Sequence, residues 1–205
     1  MFNQDQTVIG SYARSNADQF ARTCQFVILT VQQSLFNVEA DFSQIDDGDN
    51  DVTGILFGWK YAAFNSIWTN RERLYTQCEH YAETLEGNDL AAAIIDCIAS
   101  EPGYGLVKAG FVAQLIYGVG GCLDTHNIRR FGLKESTFAK YKTLKTAKAK
   151  RAKLLKYVTL CSDLGGAAAL WDSWCEYVYS RQPAAYRSAD HVSETHLTAL
   201  NLERI

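Results

Sequence analysis

Proline is scarce in this chain. Pro102 and Pro183 are the two among 205 residues, so long segments run without the residue that most strongly breaks a helix. Strand-like alternation between turn signals is nearly missing as well, and the two absences together predict an all-α fold. No apolar run reaches the length that spans a bilayer, and Met1 does not open a cationic, hydrophobic leader. The expectation is a cytoplasmic or nucleoid-associated protein with no membrane partner. No CxxC pair occurs among Cys24, Cys78, Cys97, Cys122, Cys161 and Cys175. Zinc knuckles and iron-sulfur clusters draw their ligands from close groups, so this spacing argues against both and for reduced thiols in a core. Internal repeats and low-complexity runs are likewise missing.

What is present is apolar content of 47%, enough to bury a real core. The organisation expected is one compact helical unit over 1–205, or two lobes, a hairpin-containing one of about 20–135 and another made from the N-terminal arm with 136–205. Residues 1–17 are polar and read as an arm or a first short helix. Phe20, Cys24, Val27, Ile28, Val31 and Leu35 share one helical face, which predicts a helix from Phe20 to about Leu35. Trp59, Tyr61, Phe64, Ile67 and Trp68 support another from about Gly54 to Asn70, followed by one from Arg71 to Leu85. Most of these aromatics are expected in the core, with one or two free to stack on a base.

Two features suggest metal and fail on spacing. Asp47, Asp49 and Asp51 imitate the opening of a calcium loop, but Gly48 is misplaced and Gly58 stands where the closing glutamate belongs, so the acidic run from Glu39 to Asp51 reads as a solvated loop. His191 and His196 miss the spacing that puts two ligands on one helical face, and no third ligand accompanies them. No side-chain metal site is expected.

The informative stretch runs from Asn88 to Arg130. Leu90, Ile94, Ile95 and Ile98 recur at helical spacing after Asn88, a candidate cap, and predict a helix over 89–99. Pro102, Gly103 and Gly105 break it. Leu106 to Tyr117 is apolar on nearly every side, as in a buried helix. Gly118-Val119-Gly120-Gly121 closes that helix, and Asp124 looks like the cap of a third. A glycine hairpin thus joins two helices, and backbone N–H groups at such a turn can approach a phosphate closely.

Glu101-Pro102-Gly103-Tyr104-Gly105 followed by a helix, a glycine break and Leu123-Asp124-Thr125-His126-Asn127-Ile128-Arg129-Arg130 resembles the helix-hairpin-helix DNA glycosylase superfamily, which includes the endonuclease III and MutY-type adenine glycosylases. Ile28 to Ser34, with Gln32 and Gln33, resembles the early helix of the same family, so the likeness covers roughly Phe20 to Leu133. The resemblance implies DNA as partner, with Gly103, Gly105 and neighbouring amides on a phosphate. It places Gln32 and Gln33 in the duplex beside an extruded base, where an amide can bond to the orphaned partner base. Asp124 takes the place of the aspartate that faces the flipped nucleotide, and capping and catalysis are both open to it. A monovalent cation such as potassium or sodium under the hairpin carbonyls is implied too, and no organic cofactor or iron-sulfur cluster.

The chain also departs from the family. The lysine with which bifunctional members attack C1′ is expected at Val107; Lys108 is its neighbour, and one step along a helix turns a side chain by about 100°. No strand scission is expected. The glutamate that adenine-specific members place ahead of the paired glutamines is replaced by Ile28. Tyr104, where the family has an aliphatic residue, contacts the phosphate or fills space.

Beyond the third helix, Lys140, Lys142, Lys145, Lys148, Lys150, Arg151, Lys153 and Lys156 form a cationic run with no acid in it. Phe138, Tyr141, Leu144, Leu155 and Val158 give it a partial apolar face, so it reads as a surface helix whose Lys145, Lys148 and Arg151 add salt-dependent affinity for DNA. Leu170, Trp171, Trp174, Cys175 and Val178 then mark an amphipathic helix after Gly165-Gly166. The leading expectation is a monofunctional DNA base N-glycosylase acting through Asp124. A noncatalytic DNA-binding protein is the alternative. A DNA base-modifying transferase on the same fold, as in distant virus-encoded relatives, is a third.

Overall fold

A computed structural model of the chain describes residues 2–30, 58–134, 138 and 141–181. The secondary structure among them is helical: α1 (Phe2–Ala13), α2 (Ala17–Leu29), α3 (Gly58–Thr69), α4 (Arg71–Thr84), α5 (Gly87–Ala99), α6 (Leu106–Tyr117), α7 (Thr125–Arg130), α8 (Ala147–Asp163) and α9 (Gly166–Arg181). Gln32, Gln33, the acidic run, Lys140 and both tail histidines lie outside the described residues. None of the described helices is long and apolar enough to cross a membrane.

The core is organised around α2 and α6, the two helices buried on most sides. On α2, Phe20, Cys24, Phe26, Val27, Ile28 and Leu29 are all shut from solvent. Asn16 starts that helix by accepting from the Gln19 amide at 2.9 Å, and Thr30 closes it. Helix α6 carries Ala109, Val112, Ala113, Leu115 and Ile116 inward. It ends at Gly118, whose φ of 67° suits a residue without Cβ, and the Val119 N–H reaches back to the Ala113 carbonyl to satisfy the last turn.

Around this pair the other helices bring apolar faces into one continuous cluster. Residues 1–17 include a helix, not only an arm. Val8, Ile9 and Ala13 of α1 are buried, and Gly10 lets its backbone approach α6 so closely that a Cβ there would sit 2.7 Å from the Ile116 carbonyl oxygen. Arg14 and the Tyr117 hydroxyl converge on Glu79, tying α1, α4 and α6 together.

The sequence pattern erred at two starts. Helix α5 begins at Gly87 behind an extended Glu86 that makes no side-chain cap, not behind Asn88. Among the described residues of the cationic run, helix begins at Ala147, where Thr146 accepts from the Ala149 amide. Residues 141–146 ahead of it form no helix, and two aromatics serve as anchors: Phe138 meets the Tyr157 ring edge-on, and the Tyr141 hydroxyl donates to Asp96.

Candidate nucleic-acid interface

The turn between α5 and α6 is held from beneath by the side chains on either side of its glycines. Glu101 is buried, and its carboxylate collects Ser66 and Asn70 from α3 and its end and Arg73 from α4, the last at 2.6 Å. Such charge-assisted bonds fix the incoming end of the turn. Tyr104 fixes the outgoing end. Its ring is 1% exposed and its hydroxyl donates to the Cys24 carbonyl of α2 at 2.6 Å. The Tyr104 side chain, expected among the nucleic-acid contacts, is therefore a core residue, and burial pushes its hydroxyl pKa well up. Of the alternatives open to it, filling space is what the geometry realises.

The two hairpin glycines differ. Gly103 has φ of 76°, and a Cβ there would lie 2.5 Å from that of Ala63 on α3, so conformation and packing both demand glycine. Gly105 is extended, and nothing stands within 4 Å of where its Cβ would be. It precedes α6 without a side-chain cap, so the first amides of α6 have no partner within the helix.

Cations gather over this turn. Lys108 reaches back from the first turn of α6 to the Gly103 carbonyl at 3.1 Å and lies 4.1 Å from the centre of the Trp59 ring. Lys142 donates to the Glu101 carbonyl. Lys60, whose ammonium lies 5.9 Å from the centre of the same ring, is buried and donates to the Leu29 carbonyl at 3.1 Å. Burial first, then the charges of Lys60 and Lys142, hold the Lys108 ammonium down to about 8. Lys142 is lowered as well, chiefly by burial, with Glu101 opposing. Trp59 between them is one of the few large apolar side chains left exposed, at 38%. An exposed indole with the Lys108 ammonium against its ring, at the start of a helix, can hold a phosphate and the base attached to it.

The hairpin carbonyls do not suit a further cation. Glu101 O accepts both the Tyr104 amide and Lys142, and Gly103 O accepts Lys108. A free potassium or sodium ion would meet two ammonium charges there. Among the described residues no group of acids, histidines and cysteines could hold a metal.

Asp124 belongs to the other end of α6. One oxygen accepts the amides of His126 and Asn127, each at 3.0 Å, which starts the short helix α7; the other accepts the Trp174 indole N–H at 3.0 Å. Trp174 stacks on Trp171 and tilts against Phe111 of α6, while His126 lies 5.2 Å from the Tyr177 ring. A half-buried carboxylate is thus fixed at the rim of an aromatic cluster. Phe111 follows Leu106 by five residues, or about 7 Å of helix axis, so the cluster holding the acid packs on the same helix that the hairpin starts.

Lys145, Lys148 and Arg151 are exposed around the start of α8. Val107 is half-buried against the core and Lys108 points to the hairpin. Residue patterns left open which of the aromatics faces solvent, here Trp59, and missed Lys60 as a buried cation. They also missed Glu101 as the anchor and Trp174 as the partner of Asp124. Only Lys142 carried a signal, as a member of the cationic run. Comparison with known proteins adds no relative: no family model, curated protein or solved structure matches the chain.

Proposed function

We propose that this chain binds DNA through the α5–α6 turn and acts as a monofunctional base N-glycosylase. The observation that carries the reading is the pairing, along one helix, of an amide-rich turn crowned by Lys108, Lys142 and Trp59 with a fixed carboxylate, Asp124. The turn takes the backbone phosphate. Trp59 or the aromatics around Asp124 receive an extruded base by stacking. As the bond from C1′ to the base nitrogen breaks, its electron pair leaves with the base and positive charge grows on the sugar. The Asp124 carboxylate stabilises that charge, and because its hydrogen bonds already set its position it needs no reorganisation to do so. Water then adds to C1′, leaving an abasic site and a proton for the departing base. With Val107 apolar and Lys108 on the Gly103 carbonyl, no lysine adduct forms.

The second reading, binding without cleavage, draws on the same carboxylate: three donors on Asp124 are what a helix cap with a bracing partner requires. One assay separates the two. Duplexes carrying a panel of altered bases are incubated with the protein and treated with hot alkali. The glycosylase reading expects alkali-labile sites from at least one duplex, lost in Asp124→Asn while DNA binding survives, since asparagine keeps the acceptor for both amides. Salt-sensitive binding with no abasic product from any duplex selects the binding module.

A further inference from the structure

Arg73, Gln77 and Tyr81 stand at i, i+4 and i+8 on α4 and so share one face of that helix. That face, with Asp96 of α5 and Arg151 of α8, lines a polar cleft of about 370 Å³. The volume is in the range that takes a small molecule. Neither the glycosylase reading nor the binding reading uses this cleft.

Three of its side chains have hydrogen-bond donors left to give. Arg73 spends one N–H on Glu101 at 2.6 Å, yet its side chain is 53% exposed, and a guanidinium carries five such groups. Arg151 is exposed and has no ion-pair partner among the described residues. The Tyr81 hydroxyl accepts the Gln77 amide at 2.7 Å, which leaves its own proton for a guest. Two of the three are held in place before any guest arrives. Glu101, itself gripped by Ser66 and Asn70, fixes Arg73, and Gln77, which also accepts the Cys97 thiol, fixes Tyr81. Donors ordered in advance lose little freedom on binding.

The lining contains one acid. Asp96 accepts the Tyr141 hydroxyl on one oxygen, and its other oxygen suits an O–H or N–H of a guest. The negative charge of Glu101 behind the cleft is offset by Arg73 and by Lys142, which feels that charge. Two guanidinium groups from separate helices match a tetrahedral dianion with three terminal oxygens, whereas a single fork already satisfies a planar carboxylate. We propose that this cleft binds a phosphomonoester bearing hydroxyl or amino groups, with the phosphate on Arg73, Arg151 and Tyr81 and a donor of the same molecule on Asp96. A backbone phosphate of DNA is a diester with a single charge and fits this donor set less well. The proposal does not depend on base cleavage or on the α5–α6 turn.

The test is calorimetric titration of the whole chain at fixed salt. The probes are adenosine 5′-monophosphate and glucose 6-phosphate, adenosine and glucose without phosphate, and a dinucleoside monophosphate as the diester. Saturable binding of at least one phosphomonoester is expected, with none of adenosine or glucose. Arg151→Gln, an exposed change whose folding a urea midpoint checks, should weaken it at least about tenfold, and Tyr81→Phe by about threefold. Lys156→Gln, on the same helix as Arg151 but outside the lining, should leave it unchanged. Failure of both phosphomonoesters to bind would overturn the proposal, as would a diester that binds as tightly as the monoester. Equal losses from Arg151→Gln and Lys156→Gln would overturn it too, because they would reduce the effect to general surface charge.

Discussion

The two glycine turns that flank α6 are built from similar residues and put to opposite uses. At the second, Gly118 to Leu123, the closing residues 121–123 are buried and bonded inward. Tyr157 donates to the Gly121 carbonyl and receives the Leu123 amide, Gln114 accepts the Cys122 amide, and Asn127 donates to the Cys122 carbonyl. At the first, Ser100 to Gly105, the anchors Glu101 and Tyr104 point inward while no side chain caps the helix after Gly105 and Trp59, with Lys108 against its ring, is left exposed. Glycine serves packing at one turn. At the other it serves both packing and access.

The comparison is broken most severely at Gly110. A Cβ there would stand 2.4 Å from the Gly121 carbonyl oxygen and 2.6 Å from the Tyr157 hydroxyl, and the backbone atom cannot swing aside. Gly110→Ala should lower stability by about 3 kcal/mol, read as a fall in the urea midpoint at unchanged slope. Gly103→Ala follows at about 2 kcal/mol, combining a left-handed backbone with the Ala63 contact. Trp174→Phe ranks next. It keeps the aromatic stack but leaves one Asp124 oxygen without its indole donor, for a loss of about 1 kcal/mol.

These ranks show what was legible in the residues alone. The all-helical class and the bounds of α6 were, because Gly105 and Gly118 bracket an apolar run and nothing inside it competes. Asp124 as the cap of α7 was legible too, since a carboxylate before a short helix has an amide to accept. Its bond to Trp174 was not. Helical periodicity places Trp174 in the core correctly, yet the indole N–H meets a carboxylate fifty residues away, and local spacing carries no information on such a pairing. Lys60 failed for the same reason. A lysine is ordinarily solvated, and the arrival of α2's last carbonyl helps to make burial tolerable. The start of α8 was not legible although Thr146 offered a cap, because Phe138 and Tyr141 mimic a helical face while they pack on Tyr157 and bond to Asp96.

Gly105→Ala sharpens the contrast from the other side. The backbone is extended and the space beside it is open, so stability should stay within about 0.5 kcal/mol. The added methyl would nevertheless stand where a phosphate must approach the first amides of α6. Titration with a fluorescent duplex at fixed salt should show weaker binding, with unfolding unchanged. If affinity stays at the wild-type value, the first turn is not the phosphate seat and the second reading fails together with the first.

The smallest effect belongs to Lys108, and its sign is set by linkage. Its folded pKa of about 8 lies below the ordinary lysine value of 10.5, so between those values the unfolded chain binds the extra proton and stability attributable to Lys108 rises with pH. Cysteines and tyrosines titrate in the same range with the opposite sign, as Cys24 and Tyr157 are raised by burial. The informative quantity is therefore the wild type minus Lys108→Met, measured from denaturant midpoints at successive pH values, in which that background cancels. The difference should move in favour of the wild type as pH increases through about 8 and level off near the unfolded value. DNA affinity should move the other way over the same interval, because the ammonium that a phosphate would keep protonated is lost from the free protein, and Lys108→Met should flatten that decline. A flat difference in stability would mean that Lys108 is solvated and that the cations over the turn do not converge.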